Sequence, residues 1–167
     1  MPGPPEPGFG VAIRSTGARR DGSDARPDDS PAGVSELPIA GPPRTLYEAV
    51  GGEPTFRRLV SRFYEEVADD LETLRPLYPD GDLGPAEDRF RMFLIQYWGG
   101  PQTYTELRGH PRLRMRHSPF RIGPAQRDAW LHAMRIALDD ADIPDPYGSQ
   151  LWSYFASTAE HMINVRA

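Results

Sequence analysis

Apolar residues along this chain recur in stripes at helical spacing, and each stripe is bounded by glycine or proline. Phe56, Leu59, Val60, Phe63 and Val67 stand three and four apart, which predicts one amphipathic helix from Pro54 to about Ala68. Tyr64 lies one turn beyond Val60, on the buried side of that helix. Pro54 sits at its first position, where a missing N–H costs nothing, and Gly51-Gly52 separates it from an earlier, shorter helix. That short helix begins with Thr45-Leu-Tyr-Glu48, the form of a capping box, in which hydroxyl and carboxylate satisfy free backbone N–H groups. A second stripe, Ala86, Phe90, Phe93, Leu94 and Tyr97, opens at Gly84-Pro85 and stops at Trp98-Gly-Gly-Pro101. The third runs from Gly123-Pro124 through Ala141, with Trp130, Met134, Ala137 and Leu138 on one face. Ile143-Pro-Asp-Pro146 divides it from the last, which presents Leu151, Trp152, Phe155, Ala159, Met162 and Ile163. Leu71 to Tyr78 reads as a connecting turn, and no alternating pattern flanked by hairpin turns occurs. The predicted class is all-α.

Residues 1–44 have no such period. Prolines punctuate them, and Phe9, Val11, Ile13, Val34, Leu37 and Ile39 are scattered. A stretch that buries so little cannot offset its ordering entropy, so a disordered extension is expected over 1–44 and a single domain over 45–167. The overall hydrophobic content of 38% is low, as expected if part of the chain lies outside the core.

Charge and cysteine usage narrow the chemistry. A net charge of −5 argues against a general nucleic-acid binder, which needs a positive field toward phosphate. All 19 positive side chains are arginine. No apolar run approaches the roughly 20 residues that span a bilayer. No charged start followed by an apolar stretch suggests a secretory signal, so a cytoplasmic setting is expected. With no cysteine, disulfides and covalent haem attachment through Cys-x-x-Cys-His are both excluded, and any metal needs nitrogen or oxygen ligands.

Of the four histidines, His132 lies off its helix stripe, His161 complements a helix C-terminus, and His110 precedes a proline in a loop. His117 closes an arginine-rich run, Arg108-Gly-His-Pro-Arg-Leu-Arg-Met-Arg-His117, between two long helices. Taken by itself it would more often be structural than a ligand. Tyr64, Tyr78, Phe90, Phe93 and Trp130, each from a different turn or helix, are predicted to be buried. Ordinary core packing accounts for most aromatic stripes. It accounts less well for two tyrosines and a tryptophan that each need a hydrogen-bond partner when buried. Arg112, Arg114 and Arg116 would be solvated by default, but guanidinium also matches the carboxylates of haem.

In this order the motifs resemble a truncated haemoglobin of the second group. The resemblance spans Thr45 to Asn164 and rests on Tyr47-Glu-Ala-Val-Gly-Gly52, Ser61-Arg-Phe-Tyr64, Arg91-Met-Phe-Leu94, Tyr97-Trp-Gly-Gly-Pro101, the run from Arg108 to His117, and Arg127-Asp-Ala-Trp130. It implies a two-on-two helical sandwich around non-covalent haem b, with His117 as the proximal iron ligand through Nε2. Tyr64, Tyr78 and Trp130 would line the distal side and donate to the iron-bound ligand. Ala86 falls where many globins place a distal histidine. Phe90 stands where the resemblance implies a smaller leucine, so the distal cavity would be narrower. Phe93, Leu94, Leu113, Arg116, Phe120, Ile122 and Met134 would be further haem contacts.

The implied function is reversible dioxygen binding at five-coordinate iron. Each neutral hydrogen bond contributes about 0.5–1.5 kcal/mol, so two would slow ligand release by roughly ten- to a hundredfold. Slow release suits redox chemistry on nitric oxide or peroxide better than delivery. No catalytic base or reductase module is visible, so turnover would need an external electron-donor reductase, and a homodimer is compatible with the chain. The rival readings are a cofactor-free helical interaction module and a haem storage or transfer protein.

Overall fold

The computed structural model describes residues 42–79 and 81–166. The expected extension lies outside the described residues up to residue 41. Among the described residues every regular element is helical. They are α1 (Leu46–Ala49), α2 (Glu53–Asp69), α3 (Gly84–Tyr97), α4 (Thr103–Arg108), α5 (Leu113–His117), α6 (Pro124–Asp140) and α7 (Tyr147–Met162), with a 3-10 turn at Arg75–Leu77. The long helices begin and end where the glycines and prolines placed them. The short helices α4 and α5 were not foreseen. Elements of six and five residues are too brief to display a hydrophobic period.

Local chemistry explains each start. Thr45 Oγ1 accepts from the Glu48 N–H at 3.2 Å, the first half of the capping box. The second half is displaced by one residue, because the Glu48 carboxylate accepts from the Arg44 N–H, at 2.8 Å, rather than from Thr45. At α6 the Gln126 side-chain Oε1 accepts from the Gly123 N–H at 3.0 Å and Pro124 fills the first turn.

Helix α2 is the centre of the molecule, packed against α3 on one side and α6 on the other, while α6 also packs against α7. The result is a layered arrangement of helices with α2 at its centre. Phe56, Leu59, Val60, Phe63 and Val67 of α2 are buried with Leu94, Met134, Leu151 and Phe155 from the facing helices. Burying each such side chain stabilises the fold by about 1.5–3 kcal/mol. Polar ties fix the pairings at the rim. Ser61 donates to Glu87 between α2 and α3, Arg62 reaches Asp140 of α6 at 2.7 Å, and Arg127 of α6 reaches Glu160 of α7 at 2.5 Å.

The breaker after α3 has a packing role. Gly99 adopts φ +101, and a Cβ there would lie 2.5 Å from Thr45. Its absence lets α1 dock on the end of α3, where the Tyr47 N–H donates to the Trp98 carbonyl at 3.0 Å.

Candidate functional site

A cavity of about 600 Å³ opens between the helices, within the range of sites that hold a small molecule or cofactor. Ten of the residues marked out in the sequence line it together: Tyr64, Tyr78, Phe90, Phe93, Leu113, Arg116, His117, Phe120, Ile122 and Trp130. Two do not. Leu94 and Met134 are fully buried in the core and are absent from the cavity wall. Each follows a lining residue (Phe90, Trp130) by one helical turn, and there the apolar stripe has passed from the cavity into the packing against α2.

The aromatic wall comes from the long helices. Trp130 of α6 packs on Phe63 of α2, ring centroids 5.1 Å apart, and on Phe90 of α3 at 6.1 Å. Tyr64 meets Tyr78 edge-on at 5.7 Å and Phe90 at 6.3 Å. Burial, then the neighbouring Tyr78, pushes the Tyr64 phenol far above its ordinary range. Burial also raises Tyr78. Both hydroxyls therefore keep their protons, with Tyr64 and Tyr78 linked to each other. The Trp130 indole N–H has no hydrogen-bond partner among the described residues, so it is available to a ligand in the cavity. Phe90 occupies the middle of this cluster, touching Phe63, Tyr64 and Trp130.

The histidine wall is built differently. α5 starts from Arg112, held at φ 43, whose N–H donates to His110 Nδ1 at 3.2 Å. The Arg116 guanidinium binds back to the carbonyls of Pro111 and Arg108, both at 2.8 Å, and lies over the Tyr104 ring. His117 ends the helix with Nδ1 2.7 Å from the Leu113 carbonyl. A carbonyl can only accept, so Nδ1 carries the hydrogen and Nε2 keeps its lone pair. Beyond it, Asn164 clamps the following segment. Its Nδ2 donates to the Phe120 carbonyl at 2.7 Å and the His117 carbonyl at 3.3 Å, and its Oδ1 accepts from the Ile122 N–H at 2.9 Å.

Sequence reasoning missed several members of the site. Asn164 acts across more than forty residues, which no local pattern reveals. Arg89 and Arg108 line the cavity with no carboxylate partner among the described residues. Tyr154 and Thr158, one turn apart on α7, also line it, and their spacing was the available signal. Arg116, expected to meet acidic groups, instead mainly braces the loop before α5.

The donor set fits one kind of metal group. Among the described residues no cluster of three or more histidines, cysteines or carboxylates could chelate an ion. A single oriented imidazole in an aromatic cavity fits a metal whose other donors come from a planar macrocycle. Arg89 and Arg108 fit acidic substituents on that macrocycle.

Comparison with known proteins agrees. The family model described as Bacterial-like globin matches residues 45–164. The X-ray structure of a thermostable haemoglobin from the actinobacterium Thermobifida fusca is 62% identical, with a TM-score of 0.71, covering 72% of this chain and 98% of that one. The group 2 truncated hemoglobin YjbI of Bacillus subtilis is 42% identical over 118 residues, 71% of this chain and 87% of its own length. The X-ray structure of a truncated oxygen-avid haemoglobin from Bacillus subtilis is 40% identical, with a TM-score of 0.68, covering 72% of this chain and all of that one. On this sequence match and this helical architecture, the chain belongs to the bacterial-like globins, as a group II truncated haemoglobin.

Proposed function

We propose that this protein binds haem b non-covalently through His117 and reversibly binds dioxygen at five-coordinate iron. The observation that carries the reading is the His117 imidazole, its Nδ1 held by the Leu113 carbonyl, in the same cavity as Tyr64, Tyr78 and Trp130. Membership of the globin family implies haem and a diatomic ligand, and a relative at 40% identity is described as oxygen-avid.

When bound, haem supplies a ferrous iron with one position open to a diatomic ligand. His117, its ring fixed by the Leu113 carbonyl, would hold the group through Nε2. Leu113, Phe120 and Ile122 would cover its apolar surface, and Arg89 and Arg108 would meet its acidic groups. Tyr64, Tyr78 and Trp130 would offer neutral hydrogen-bond donors to a ligand in the cavity. The aromatic wall also excludes water, which strengthens each of those hydrogen bonds. Slow ligand release suits oxidative removal of nitric oxide or reduction of peroxide, with electrons from an external reductase.

The test is reconstitution of the purified chain with haemin, followed by reduction and stopped-flow release of oxygen. A Soret band, a five-coordinate ferrous spectrum and slow oxygen dissociation are expected. A colourless protein that takes up no haemin overturns the reading. Rapid transfer of haem to apomyoglobin would replace it with a storage or transfer role.

A further inference from the structure

Trp130 is ringed by Phe63, Phe90 and Phe155, none of which is readily oxidised. Tyr154 has a different surrounding. It lines the cavity from α7 and stacks on Tyr97 of α3, with ring centroids 4.2 Å apart and planes at 30°. Tyr97 is 48% exposed. Two phenols in contact thus join the cavity to the surface. Trp98 packs edge-on against both rings, at 5.0 and 5.5 Å, but its buried indole N–H has no partner. An indole without a proton acceptor is a poor place for an oxidising equivalent to rest. Thr158, one turn along α7, lines the same cavity as Tyr154, and Tyr97 reaches solvent.

We propose that Tyr154 and Tyr97 form a one-electron relay that carries oxidising equivalents from the haem cavity to the protein surface during turnover of a hydroperoxide. The proposal rests on the haem reading above. The net reaction is ROOH + 2 AH → ROH + H2O + 2 A•, where AH is a phenol- or ascorbate-class reductant in solution. In each passage Tyr154 gives up an electron to the oxidised group and its phenolic proton to the cavity it lines, where the oxygens of the hydroperoxide take up one proton per passage. Tyr97 then restores Tyr154 by giving up an electron and a proton, and AH restores Tyr97. Two passages deliver the two electrons and two protons that the hydroperoxide consumes. Tyr97 touches both Tyr154 and solvent, so the surface radical forms there and the small reductant never enters the cavity.

The test treats ferric holoprotein with hydrogen peroxide and a nitroso spin trap, then maps adducts by mass spectrometry. Labelling of Tyr97 is expected in the native chain, and its loss to background in Tyr154→Phe. That variant keeps the stacked ring, and its Soret band reads haem uptake separately from the labelling. Labelling of Tyr97 undiminished in Tyr154→Phe, or adducts only at other residues, overturns the relay. So does a holoprotein that forms no trapped radical. Failure to take up haemin is a separate outcome, visible as a missing Soret band, and overturns the haem reading together with the relay. A Tyr97→Phe variant provides an independent arm. It should retain hydroperoxide consumption in the first turnover and lose ascorbate-class oxidation in later ones. Unimpaired ascorbate oxidation would overturn the surface role.

Discussion

The two walls of the cavity reach order by different means. The aromatic wall is carried on α2, α3 and α6, helices of 17, 14 and 17 residues whose opposite faces form the core. Its rings are held by the packing that stabilises the whole molecule. The histidine wall stands on a five-residue helix with no fully buried residue. It is held by hydrogen bonds from Arg116 and Asn164 to backbone carbonyls. One wall is positioned by hydrophobic contact, the other by directional bonds. The aromatic wall should therefore fail only when the fold fails, whereas the histidine wall can loosen by itself.

The sharpest test of this division is His117→Ala. It should abolish stable five-coordinate haem binding while leaving helicity and melting of the apoprotein nearly unchanged, because among the described residues the His117 side chain makes a single hydrogen bond. Circular dichroism and a haemin titration would read both, and external imidazole should restore the spectrum in part. An equally large loss of apoprotein stability would show that the histidine wall is not separable from the core.

Next in size is Asn164→Ala. It removes donors to two carbonyls and leaves the Ile122 N–H without its side-chain acceptor, a cost of about 1–3 kcal/mol. Haem loss to apomyoglobin should accelerate more than global melting implies. Equal effects on both would mean that the clamp serves stability alone.

How much of this was legible in sequence follows the same division. The stripe Phe56 to Val67 and the stops at Gly51-Gly52 and Trp98-Gly-Gly-Pro101 are local signals, and they placed α2 and α3 correctly. The aromatic wall rides on those helices, so Tyr64, Phe90 and Trp130 were readable from periodicity and motif. The histidine wall depends on contacts remote in sequence. His117 stood out through its motif, but Asn164 and the bracing role of Arg116 did not, since a hydrogen bond to a distant carbonyl leaves no period. Leu94 and Met134 show the opposite limit: a stripe marks an apolar face without saying where cavity ends and core begins.

A smaller effect is expected for Trp130→Phe, which keeps a ring against Phe63 but deletes the indole N–H. Loss of one hydrogen bond of about 0.5–1.5 kcal/mol should speed oxygen release up to roughly tenfold, as measured by stopped-flow. An unchanged rate would assign ligand stabilisation to Tyr64 and Tyr78 alone.

The mildest prediction concerns alkali. The phenols of Tyr64 and Tyr78 are raised above the ordinary value of 10.0, first by burial. Below that value both states are protonated and the contribution is fully present. Above it the unfolded chain releases these protons while the folded one retains them. Stability therefore falls as pH rises, by about 1.4 kcal/mol per pH unit for each such tyrosine. Urea titrations between pH 9 and 11 should show the slope, reduced in Tyr64→Phe. An identical slope in that variant would place the alkaline sensitivity elsewhere.

The Asn164 clamp has a practical corollary. The Asn164 and Val165 amides both reach the Ile122 carbonyl, at 2.9 and 3.1 Å, so this stretch of backbone beyond α7 holds the segment that carries Ile122 into the cavity wall. A cut in the backbone between Met162 and Asn164 would leave the helical core intact and free the wall segment at Phe120 and Ile122.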